Sequence, residues 1–70
     1  MKYHVIVFDR NSGIWDEMKR QDLSAQNLRD AKKEAEAISD GYNDQNVSVV
    51  LYNENRKRIA KFSMFKYTFL

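Results

Sequence analysis

Two short segments of this chain, Tyr3 to Arg10 and Val47 to Tyr52, are apolar on both sides when extended, and a single stretch between them has helical periodicity. These two facts together restrict the fold more than any other feature. Successive side chains of a strand point to opposite faces. Tyr3, Val5 and Val7 therefore point one way and Ile6 and Phe8 the other. Val47, Val49 and Leu51 oppose Val50 and Tyr52 in the same manner. Such strands belong in the interior of a sheet.

The helical stretch runs from Ser24 to Gly41. Leu28, Ala31, Ala35, Ile38 and Tyr42 recur at spacings of three and four and share one face. Ser24 is the expected N-cap, with Leu23 and Leu28 placed for a hydrophobic staple and Gly41 for a left-handed C-terminal residue. The opposite face mixes charges of both signs and reads as solvated. The alanines in the stripe permit a close approach to a flat surface.

Around these elements the remaining pattern is short. Asn11-Ser12-Gly13 fits a three-residue hairpin loop with Gly13 in the left-handed region. Ile14 to Lys19 follows as a second strand, with Trp15 and Met18 on opposite faces and the charges of an exposed edge. Asn53-Glu54-Asn55 forms a turn after the third strand, and a fourth strand begins near Lys57. The expected fold is α+β, a β-β-α-β-β chain forming a four-stranded antiparallel sheet in the order 2-1-3-4 with one helix packed on one face. That order puts both two-faced strands in the middle.

From Arg58 onward Ala60, Phe62 and Met64 share a face; from Phe65 the alternation slips by one, and Phe65, Tyr67 and Phe69 take over. The reading preferred from sequence is a β-bulge that keeps both sets on one core. A separate or swapped terminal strand is the alternative.

At 70 residues the chain is one small domain, residues 1–70, of a size that buries roughly 60% of its unfolded surface. It has no cysteine, so neither disulfides nor thiolate metal sites can add stability, and self-association is the remaining common route. No apolar run is long enough to span a membrane and no secretory leader is evident, so a cytoplasmic protein is expected.

Nothing in the sequence has the spacing of a catalytic site. His4 is the only histidine and reads as half-buried and structural. Asp16 and Glu17 are adjacent, so on a strand they face apart. The two glycines lie too far from each other to cradle a phosphate. The expectation is a non-enzymatic protein without cofactor or metal.

A sheet with a helix on one face leaves the other face apolar and open, and monomers rarely expose large apolar patches. The leading expectation is therefore a protein partner, together with a homodimer, held by Trp15, Tyr52, Phe65, Tyr67 and Phe69. The alternative is a sheet-type nucleic-acid binder using Arg56, Lys57, Arg58, Lys61 and Lys66, because the last fifteen residues carry bases and no acid. The net charge of +2 is too small to argue for nucleic acid unaided.

The Met1-Lys2-Tyr3 opening with its strand, the Ser12-Gly13 turn and the alanine-rich Asn27 to Ser39 helix resemble HicB-like antitoxin domains over about half the chain. The proline- and glycine-containing segment those domains carry before the helix is absent. In size and economy the chain is also similar in type to small phage accessory proteins, inhibitors of host enzymes among them.

Overall fold

The computed structural model describes residues 2–10, 13–42, 44, 46–63 and 66–69, the last four as backbone only. The elements in chain order are β1 (His4–Asp9), β2 (Asp16–Asp22), α1 (Leu28–Tyr42), β3 (Val47–Tyr52), β4 (Arg58–Ser63) and β5 (Lys66–Phe69). They form one sheet in the order β2-β1-β3-β4-β5, antiparallel throughout. The four expected strands thus stand in the expected order, with the helix on one face.

The fifth strand differs from the preferred reading of the C-terminus. The slip in alternation after Ser63 marks the end of one strand and the start of another, which folds back on β4 with Phe62 opposite Tyr67 and Ala60 opposite Phe69. Met64 and Phe65, where the slip falls, lie outside the described residues.

β1 and β3 pair in full register, from His4 opposite Tyr52 to Asp9 opposite Val47. Val5, Val7, Val49, Leu51, Ala60 and Phe62 form the core beneath the helix, each essentially inaccessible to solvent. Their helical partners are small: Ala31, Ala35 and Ser39 are buried one turn apart. Ile38 and Tyr42 pack at the margin, while Leu28 is exposed. The buried face is thus rotated from the expected one, with Ser39 in and Leu28 out. A small-residue stripe suits a helix that lies close against β3 and β4.

The helix begins later than expected. Asn27, not Ser24, is the N-cap: its Oδ1 accepts the Asp30 backbone N–H at 2.9 Å, and its Nδ2 donates to the Asp30 carboxylate at 3.1 Å. Asn27 thus satisfies one backbone donor that lacks a helical partner, and the Asp30 carboxylate steadies the capping side chain. Ser24 instead donates its hydroxyl to Glu34 at 2.7 Å, strapping the incoming chain to the helix flank. Gly41 is helical and without positive φ, so it is not the left-handed terminator.

β2 is also shifted relative to the sequence reading. Val7 opposes Lys19 and Phe8 opposes Glu17, so Met18 is the extra residue of a bulge. Bulge and charge together blunt this edge against pairing with another sheet. Gly13 carries φ +83° as expected, and its N–H donates to the Arg10 carbonyl at 3.0 Å. In the β3–β4 turn the left-handed residue is Arg56, at φ +63°, rather than an asparagine. Asn53 is used otherwise, its Oδ1 accepting the N–H groups of Asn55 and Lys57.

Because the cap is Asn27, Asn27→Ala should lower unfolding free energy in urea by about 1 kcal/mol. Ser24→Ala should stay within about 0.5 kcal/mol, as an exposed substitution does.

Candidate functional site: the face opposite the helix

Antiparallel pairing arranges the second face as rows of side chains. Asp22, His4, Tyr52 and Arg58 form one row, Arg20, Ile6, Val50 and Lys61 the next, and Glu17, Phe8, Ser48 and Ser63 the third. No helix of the described residues covers these rows, yet their centre is closed. Ile6 is 6% exposed, Val50 3% and Ser48 not at all. The sequence argument expected an open apolar patch. The centre of the face is closed instead, with aromatic and cationic side chains standing around it.

Trp15 is the chief of these. It comes from the segment just before β2, contacts Phe8 with ring centroids 5.5 Å apart, and lies 5.2 Å from the Lys61 ammonium and 5.4 Å from the Arg10 guanidinium. Phe8 belongs to β1 and Lys61 to β4, with β3 between, so the indole reaches across the sheet. Cations held against an indole are attracted by its negative π face. Trp15 nevertheless keeps 44% of its surface exposed.

A second aromatic pair closes the other end. His4 and Tyr52, cross-strand neighbours, stack with centroids 5.1 Å apart and planes 4° from parallel. His4 is half-buried and held by this stack. The two aromatic groups stand on β1 four residues apart, about 13 Å along the strand.

The charges around them are mostly basic. Arg20 is joined to Glu17 by a charged contact across the β2 bulge, and that hydrogen bond, then the carboxylate's charge, raises the guanidinium pKa above its ordinary value. Arg56, Lys57 and Arg58 are exposed and border, with Tyr52, an open depression of about 660 Å³. A larger groove of about 850 Å³ lies at the same end of the sheet, with Lys2, His4, Arg20 and Arg56 against Asp22 and Glu54.

Of the residues named from sequence, Trp15, Tyr52, Lys61 and Arg58 meet on this face, with Arg56 and Lys57 at its border. Phe65 lies outside the described residues, and Lys66, Tyr67 and Phe69 are described as β5 backbone alone. His4, Arg10 and Arg20 were not named for this site. The β1–β2 hairpin register carries the signal for Arg20, since it sets that residue opposite Ile6. No group of three or more histidine, aspartate and glutamate side chains is gathered for a metal among the described residues, and no described helix is long and apolar enough to cross a membrane. Compared with protein families, curated proteins and solved structures, the chain gives no match.

Ser48 lies in this layer with its hydroxyl buried and without a hydrogen-bond partner among the described residues. An unsatisfied buried hydroxyl costs about 1–3 kcal/mol, whereas removing it leaves a near-isosteric methyl. Ser48→Ala should therefore hold or raise the urea midpoint; a drop of more than about 1 kcal/mol would mean the hydroxyl is bonded.

Proposed function

We propose that this chain is a non-enzymatic binding module that holds single-stranded nucleic acid on the face opposite its helix. The observation that carries the reading is Trp15, half-exposed on that face with the Arg10 and Lys61 cations near its ring. A base stacks on an exposed aromatic whatever its identity, and adjacent cations take the flanking phosphates. The His4–Tyr52 stack, bordered by Arg58 and Arg20, repeats the combination at the far end of the face. A duplex hides its bases in the stack, so platforms of this kind favour an unpaired strand.

The small net charge is compatible with this reading because the bases are concentrated locally. The binding surface has Arg10, Arg20, Arg58, Lys61 and the Arg56-Lys57 turn against Glu17, Asp22 and Glu54. Affinity is then modest and strongly dependent on salt. A fluorescently labelled single-stranded oligonucleotide, titrated at several salt concentrations, tests this. Log affinity should fall linearly with log salt, by a slope of about 0.7 for each phosphate neutralised. Trp15→Ala should weaken binding by about 1–3 kcal/mol at every salt concentration. Lys61→Glu should weaken it and flatten the slope. Binding indifferent to salt would defeat the reading.

The protein-partner and homodimer reading is favoured by a different observation. Ile14 is 67% exposed and Met18 51%, beside Trp15 at the β1–β2 end of the sheet. Light scattering distinguishes the two: a mass twice the 8.3 kDa chain, with no oligonucleotide bound, supports the homodimer. A monomer that binds the strand removes it.

A further inference from the structure

Arg56 occupies a backbone conformation that its side chain makes costly. Among the described residues it is the one non-glycine with positive φ, at +63°. Side chains other than those of glycine, asparagine and aspartate pay roughly 1–2 kcal/mol for that region. The turn does not need an arginine to form. Its bonds run from Arg56 N–H to the Asn53 carbonyl, from Asn53 N–H to the Lys57 carbonyl, and from the Asn55 and Lys57 N–H groups to the Asn53 side chain. All use the backbone of Arg56 or other residues, and glycine would serve as well.

Arg56 stands at a junction. It lines both the basic depression beside Tyr52 and the larger groove at the end of the sheet. The two differ in chemistry. The first is bounded by Arg56, Lys57 and Arg58 and suits a phosphate. The second sets Asp22 and Glu54 against Lys2 and Arg20. Its carboxylates repel a second phosphate but accept hydrogen bonds from hydroxyl and amino groups.

We infer that Arg56 is the phosphate anchor at which a bound strand leaves the sheet face, its guanidinium gripping the phosphate while the next nucleoside enters the mixed-charge groove. The inference rests on the single-strand reading above and adds to it a path and a residue. Arginine suits the position because its planar fork meets two phosphate oxygens at once, which lysine cannot do. Arg56 combines this left-handed backbone with a place in the lining of both surfaces, and strained residues cluster at functional sites.

Stability and affinity measured on the same variants provide the test. Arg56→Gly should melt at or above the wild-type temperature, since glycine relieves the left-handed strain. It should also bind a single-stranded oligonucleotide roughly tenfold more weakly, the loss expected for one charge-assisted contact. Its log–log salt slope should be shallower by about 0.7, one phosphate fewer. Arg56→Lys should restore the slope but only part of the affinity. A glycine variant that binds as the wild type does overturns the anchor and leaves the parent reading standing. One that melts clearly lower overturns it too, because the arginine would then be holding the turn. A wild-type chain that binds no oligonucleotide overturns both.

Discussion

The pairing of β1 with β3 is the interaction on which the rest of the fold depends. It joins residues 38 to 48 positions apart, from Asp9 opposite Val47 to His4 opposite Tyr52, and unites two hairpins that local contacts alone would form separately. Val5, Val7, Val49 and Leu51 are inaccessible on one side of it, and Ile6 and Val50 nearly so on the other. A two-stranded hairpin alone is marginal in water, whereas a sheet with a hydrophobic face covered by a helix is not. The helix covers β3 and β4 beside it, and its alanine and serine stripe lets it lie close to the strands beneath.

That pairing also determines what the second face becomes. Two-faced strands force apolar residues onto the side without a helix, and a chain this small has no second helix to spare. The solution here is lateral. Trp15 meets Lys61 of β4 over this face and His4 stacks on Tyr52, so that rings and cations stand beside the buried aliphatic residues. Long cationic side chains cover apolar surface while keeping their charge in water. What begins as a stability requirement thus leaves a surface of aromatic rings and positive charge. Such a surface offers the stacking and charge that the proposed nucleic-acid strand would use.

The sequence made the central strands, their order and the presence of one helix legible, because period-two apolarity on both faces has few other solutions. It was weaker where two residues compete for one role. Ser24 and Asn27 are both good caps, and Asn27 prevails because Asp30 stands where it can reciprocate. Asn55 is the better left-handed residue by type, yet the Asn53 side chain organises the turn so that Arg56 takes that position. The bulge at Met18 has no signature in a strand of mixed charge, so β2 was placed too early. At the binding face, Trp15, Tyr52 and the basic residues were evident from type. Arg10, Arg20 and His4 were not, since their place there follows from register and not from composition.

The central claim is that the Trp15 face receives a nucleic-acid strand, and Trp15 is the chain's only tryptophan, so its fluorescence reports on that face without a label. Titrating the protein with unlabelled single-stranded homopolymer should quench the emission to saturation, and added salt should restore it as the strand is released. Emission that stays constant through a titration in which the strand demonstrably binds would contradict the account, since the strand would then lie elsewhere on the molecule.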